Sequence, residues 1–262
     1  MAIRIMRAPA RSMTVNEIVS TLRHGTLSYL VVEGKTEMQL YRHLVAGVQA
    51  GALELQVCDG RDALLEIYKR RNEFARICVI FVADQDLWIH KPSLKDLYPG
   101  VIWTDGYCIE NDILQAYPIA KKFLDPDEQV KLDAGLDVLT DWFAFEVNEF
   151  LNGRNAETRH AVPNVFDNKI ESMCGHFAER RGWAAPPLAV RASLQADPWR
   201  LIRGKQLVHL LARHLDKVGR VPRYGPTAIV DICIRSGTAP LDGLASQIRT
   251  RLNPPILMKA AA

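Results

Sequence analysis

The sequence predicts an α/β fold: a mainly parallel sheet flanked by helices, followed by a C-terminal helical region. Three observations predict it. Apolar runs of strand length alternate with segments of helical period in the first half, the order that builds a parallel sheet. Carboxylates stand directly after two of those runs, where an open α/β sheet binds its ligands. After Pro118 the strand signals stop and helical periodicity takes over. Two domains are therefore expected, an α/β domain over residues 1–118 and a helical domain over 119–262.

The elements follow in order. Thr14-Val15-Asn16-Glu17 fits a capping box, so a helix is expected over 15–23. A strand over 28–33 ends in Glu33 and is turned by Gly34. The next helix is expected from Glu37 to Val48, where Leu40, Leu44 and Val48 recur four apart as one apolar stripe. Leu53-Glu54-Leu55-Gln56-Val57 alternates apolar and polar, as a half-buried strand does. Asp59-Gly60 marks a turn, and 61–74 reads as a helix with Leu64 and Tyr68 on one face. The run 77–83 is a strand that ends in Asp84-Gln85-Asp86, and a shorter strand over 101–104 leads to Asp105-Gly106. Right-handed crossovers in this order put the exits of the first and third strands on one edge. Glu33, Asp84 and Asp86 are then expected to converge although they are far apart in the chain.

The second half has helical period over 127–151, carried by Leu132, Leu136, Leu139, Phe143, Val147 and Phe150. Further helices are expected near 167–181, 204–216, 226–235 and 241–252. Connectors such as Gly182-Trp183-Ala184-Ala185-Pro186-Pro187 separate them. No internal repeat or low-complexity segment is present.

Composition sets the class. The 262 residues are 48% apolar and 24% charged, as in soluble globular proteins. No apolar run approaches the roughly 20 residues of a membrane helix, and Met1–Arg7 is basic without a following apolar core, so no secretory leader is expected. The cysteines (58, 78, 108, 174 and 233) are odd in number and widely spaced, with no Cys-x-x-Cys. This argues against a disulfide framework or zinc knuckle and makes a cytoplasmic location the expectation. Cys78 reads as a small buried apolar residue. The net charge of +3 is unevenly spread: residues 180–262 carry 14 Lys/Arg against 4 Asp/Glu, a net of about +10. Such a segment suits a polyanion, and a solvated basic surface is the plain alternative.

Three carboxylates gathered at a sheet edge repel one another unless a cation neutralises them, and hard cations such as Mg²⁺ take oxygen ligands. Asp-x-Asp also caps helices and starts turns, so the cluster gains meaning from its joint placement with Glu33. Gly34-Lys35-Thr36 resembles the end of a phosphate-binding P-loop, but that loop needs a glycine at position 29, where Tyr29 stands inside the strand. Glu110 is a fourth candidate acid, or an ordinary acid in the first turn of a helix. Arg203-Gly204-Lys205 before a helix offers basic side chains and free amides to a phosphate, or is an exposed helix start. His209 and His214 lie five apart, which misses the i+4 spacing of a ligand pair.

Val31-Val32-Glu33-Gly34-Lys35-Thr36-Glu37, Phe81-Val82-Ala83-Asp84-Gln85-Asp86 and Thr104-Asp105-Gly106-Tyr107-Cys108-Ile109-Glu110-Asn111, in that order, resemble the motifs of a Toprim-like family. The branch it is similar to contains nuclease subunits that accompany ABC-type ATPases in bacterial anti-phage systems, and more distantly the overcoming-lysogenization-defect nucleases. Arg203-Gly204-Lys205-Gln206-Leu207 resembles a later motif of that branch. The resemblance implies a Toprim-like sheet and a divalent-metal site, Mg²⁺ or Mn²⁺, held by Glu33, Asp84 and Asp86, with Glu110 as a further ligand or structural anchor. It implies a metal-dependent nuclease cutting RNA (tRNA included) or DNA, with Lys35, Arg203 and Lys205 on the nucleic-acid backbone. An ABC-type ATPase is the expected partner, a homodimer a further possible assembly, and a membrane is not expected. A catalytically inactive regulatory subunit is the alternative. Primase-like nucleotidyl transfer requires a basic nucleotide site that the sequence does not reveal.

Overall fold

Strand β1 (Ser28–Val32) owes its central position to Leu30, Val31 and Val32, all fully buried. In this computed structural model, residues 12–34, 38–46, 53–116, 118, 121–167, 172–219 and 221–252 are described. Lys35, Thr36, Glu37 and Val48 lie outside the described residues. The sheet has four parallel strands in the order β2-β1-β3-β4, with β2 at Leu53–Val57, β3 at Val79–Ala83 and β4 at Val101–Trp103. This is the expected α/β sheet followed by a largely helical region. Val32 pairs with Val57 on one side and Val82 on the other, so the strand exits share one edge.

The chain forms two compact units, each assembled from segments that are discontinuous in the sequence. The first comprises Met1–Asp84, Asp96–Thr104 and Leu241–Ala262. Its helix α1 (Val15–His24) begins in the expected capping box, with Thr14 and Glu17 bonding reciprocally. Helix α2 is Met38–Ala46, and Leu40 and Leu44 of the expected stripe are buried. Helix α3 (Arg61–Lys69) stops short of the expected 74, and 71–74 tighten into a 3₁₀ turn. That tightening lets Arg70 bond both Glu73 (2.7 Å) and Asn16 of α1 (2.6 Å). The Tyr68 hydroxyl accepts from Gly100 N–H at 3.0 Å, and a Cβ on Gly100 would lie 2.6 Å from the tyrosine ring. Cys78 precedes β3 and is half-buried, a correction to its reading as a buried strand residue.

The second unit comprises Gln85–Lys95 and Asp105–Pro240. Its elements are 3₁₀ turns from Asp86–His90, α4 (Ile109–Leu114), α5 (Pro126–Leu151), α6 (Val162–Val165), α7 (Gly175–Arg181), α8 (Leu188–Ala196), α9 (Pro198–Leu201), α10 (Gly204–Leu215) and α11 (Pro226–Ser236). A last helix, α12 (Ala239–Leu252), carries the chain back to the first unit, where Cys78 Sγ contacts the Arg251 carbonyl at 3.6 Å. The helix expected over 167–181 is shorter because Phe166 is extended and bridges Met173 before α7 begins. The N-terminus of α5 is set by Asp125 and Glu128 in a capping box with Pro126 at the first helical position.

The core of this unit is aromatic. Trp142 and Phe143 are fully buried on α5, and Phe177 of α7 meets Trp142 at 6.0 Å edge-on. Beside them Glu146, with no exposed surface, accepts from Arg181 at 2.8 and 2.7 Å, from Trp142 Nε1 at 3.2 Å and from Glu157 N–H at 2.7 Å. A buried carboxylate is tolerated when its lone pairs are satisfied in this way. Among the described residues no helix is long and apolar enough to cross a membrane.

The two kinds of ion pair should separate in a stability measurement. Arg181→Ala, which strands Glu146, is expected to lower the unfolding free energy by about 3–5 kcal/mol. Arg154→Ala, which breaks the solvent-screened pair with Glu149, should lower it far less. Urea unfolding of both variants checks the contrast.

Candidate functional site

In the first unit the parallel pairing of β1 with β3 brings the residues that follow them together. Glu33 Oε1 accepts the backbone N–H of Asp84 at 2.8 Å, across 51 positions of sequence. The Glu33 carbonyl accepts Gly60 N–H at 3.2 Å, which ties in the exit of β2. Thr104 N–H donates to the Ala83 carbonyl at 3.1 Å, which ties in the exit of β4. Asp84 is 8% exposed, so its carboxylate sits where charge is expensive without donors or a cation.

In the second unit Asp86 has a left-handed backbone, φ 47°, and its N–H donates to the Tyr107 carbonyl at 2.7 Å. Gln85 is buried; its Nε2 donates to the Asp105 carbonyl at 2.9 Å and its Oε1 accepts from Lys95 at 2.5 Å. Glu110 lies in the first turn of α4, as the plainer sequence reading allowed. Its Oε1 is 3.5 Å from Lys205 Nζ, and its Oε2 is buried with no hydrogen-bond partner among the described residues. Lys35 lies outside the described residues. Arg203 caps α10 by position, and Lys205 is engaged with Glu110.

The segments 109–111 and 203–205, read separately in the sequence, form one joint. Asn111 has no exposed surface. Its Oδ1 accepts from Cys108 N–H and Gly204 N–H, both at 3.0 Å, and its Nδ2 donates to the carbonyls of Trp199 (2.7 Å) and Ile202 (2.6 Å). The amide thereby uses both donors and both lone pairs. Gly204 is required by proximity: a Cβ there would lie 2.7 Å from Asn111 N and 2.8 Å from Glu110 Cβ. The start of α10 thus fixes the turn of α4 that carries Glu110.

Asp112 was not singled out by the sequence reading. Its carboxylate accepts from Gly106 N–H at 2.7 Å and Asp105 N–H at 3.1 Å, folding the Asp105-Gly106 turn onto α4. Asp105 in turn pairs with Arg200 at 2.8 Å. Burial raises the Asp112 pKa to about 6, and the two amides only partly oppose it. The signal available in sequence was a turn Asp-Gly followed by an acid one element later, too common to be decisive. Of the two histidines, His209 is exposed while His214 is buried, and neither His214 nitrogen has a hydrogen-bond partner among the described residues. Burial lowers its pKa to about 4, with Lys217 adding to the effect.

The chemistry of the acids fits a hard divalent cation. The four expected acids offer carboxylate oxygens, and Glu110 Oε2 is buried with no hydrogen-bond partner among the described residues, while Cys108 Sγ lies within 4.8 Å of a Glu110 carboxylate oxygen and adds a thiol to the donors at hand. No protein-family model matches the chain, and no curated protein matches it.

Asp112 gives a stability profile whose sign is fixed by its raised pKa. The folded state holds the proton more tightly than the unfolded chain, so the contribution is fully present below pH 3.8 and is lost as pH rises through about 6. Relative to non-titrating Asp112→Asn, the native protein should lose on the order of 3 kcal/mol across that window. Urea unfolding at intervals from pH 3 to 7 checks this; a flat difference contradicts it.

Proposed function

We propose that the chain is a metal-dependent phosphodiesterase, a nuclease acting on RNA (tRNA included) or DNA as the toxic effector of an anti-phage pair. The observation that carries this reading is the hydrogen bond from Asp84 N–H to Glu33 Oε1 at the shared exit of two parallel strands. Glu33, Asp84 and Asp86 would hold one or two Mg²⁺ or Mn²⁺ ions, with Glu110 assisting. Bound metal would supply a water of lowered pKa and neutralise charge on the scissile phosphate.

The chain's own groups have defined tasks in this reading. The Asp84 amide fixes the Glu33 carboxylate, which serves as a ligand or as the general base that takes the proton of the attacking water. Lys35, Arg203 and Lys205 hold backbone phosphates, aided by the basic last third of the chain, so binding should weaken steeply with salt. Lys205 exchanges the Glu110 carboxylate for a phosphate oxygen when substrate arrives. The free thiols of all five cysteines suit a reducing cytoplasm. An ABC-type ATPase is the proposed partner, and a homodimer is a compatible assembly.

The Lys205–Glu110 pair also favours a second reading. An internal ammonium that neutralises one acid of the set suits a catalytically inactive subunit whose role is docking to the ATPase.

Cleavage of RNA and DNA pools with Mg²⁺ or Mn²⁺, with and without the ATPase partner, separates the two readings. The nuclease reading expects cleavage by the native protein and a loss of at least about 100-fold in Glu33→Gln and Asp84→Asn. Absence of cleavage under every condition supports the inactive subunit. Undiminished cleavage by both variants contradicts the site.

A further inference from the structure

Asp86 is, among the described residues, the one non-glycine residue with a left-handed backbone. Aspartate tolerates this region better than most side chains, yet the well remains sparsely populated. Such an outlier persists where its surroundings over-determine it, and it clusters at functional sites. Here the determinant is Tyr107, whose carbonyl accepts the Asp86 N–H at 2.7 Å.

Tyr107 is itself held at three points. Its N–H donates to the Arg200 carbonyl at 2.9 Å. Its ring, 2% exposed, packs edge-on against Phe143 with centroids 5.5 Å apart. Its hydroxyl lies 3.0 Å from Thr158 Oγ1, a buried pair of hydroxyls joined by a hydrogen bond. Thr158 is anchored in turn, since its carbonyl accepts from Gln206 Nε2 at 2.9 Å. A phenylalanine would fill the same volume against Phe143, so packing alone gives no reason for a buried phenol. The hydroxyl is accounted for by orientation: it fixes the rotation of Tyr107, and with it the carbonyl that grips Asp86.

We propose that Tyr107 is a positioning residue for the acidic site, holding Asp86 in its left-handed turn through a carbonyl whose place is set by the Tyr107–Thr158 hydrogen bond. The proposal rests on the reading that Asp86 contributes to cation binding. Neither Tyr107 nor Thr158 touches the cation or the substrate.

The test uses the full chain and three measurements: amide hydrogen exchange at Asp86, the dissociation constant for Mn²⁺ alone, and KM for nucleic acid. Tyr107→Phe and Thr158→Val remove the same bond from opposite ends. Each is expected to speed exchange at Asp86 and weaken Mn²⁺ binding by about five-fold, the scale of one neutral hydrogen bond, with KM unchanged. The double variant should be no worse than either single one, because one interaction is lost in all three. Thr158→Val leaves the Tyr107 ring in place, so it keeps the test decisive if Tyr107→Phe folds poorly. Unchanged exchange at Asp86 in the variants overturns the proposal, as does faster exchange with unaltered Mn²⁺ affinity. Native protein that binds no Mn²⁺ overturns the functional reading and this proposal with it, whereas binding shared equally by native protein and variants overturns this proposal alone.

Discussion

The parallel pairing of β1 with β3 is the constraint on which the candidate chemistry depends. Strands adjacent in the sheet but separated by β2 and two helices in the chain must end at the same edge. Val32 opposite Val82 then leaves Glu33 beside the Ala83–Asp84 peptide, and the 2.8 Å bond between them follows from register. A slip of one residue would exchange the two faces of a strand, and because both faces of β1 and β3 are buried, Leu30, Val31, Ile80 and Phe81 would all meet the wrong neighbours. The apolar core and the acidic edge are therefore fixed by the same pairing.

In the second unit the comparable constraint is the amide of Asn111. Four polar contacts to Cys108, Trp199, Ile202 and Gly204 place two short helices and the start of α10 in one arrangement. Buried networks of this kind give specificity only when complete, because each unpaired member carries its full desolvation penalty. Asp112 and Glu146 extend the same principle. Each is a buried acid surrounded by donors, and each ties a loop to a helix. Glu110 departs from it, with one oxygen buried and unpartnered.

The sheet was legible in sequence because its signals are local. Strand-length apolar runs, a capping box at Thr14 and acids after strands all lie within a few residues of one another. The juxtaposition of Glu33 with Asp84 followed from strand order and the handedness of crossovers. The joint of Asn111 with Gly204 was not legible, because nothing local marks an asparagine as a four-way partner. Gly204 looked like an ordinary helix start, and its real requirement is the closeness of Asn111 and Glu110. Short helices such as α6 and α9 were missed because too few turns are present to display a period. The helix expected from 167 was shortened by a bridge between Phe166 and Met173, a tertiary feature that helical periodicity does not report. Lys205 was assigned to phosphate from its charge alone, and its pairing with Glu110 is visible only in three dimensions.

The central claim is that the acids at the exits of β1 and β3 bind a divalent cation. Calorimetric titration of Mn²⁺ into the native protein and into Glu33→Gln tests it most directly, since it needs no substrate and no partner. The account predicts saturable binding by the native protein and an affinity lower by at least about ten-fold in the variant. Equal affinity in the two proteins, or no binding by the native chain, would contradict it.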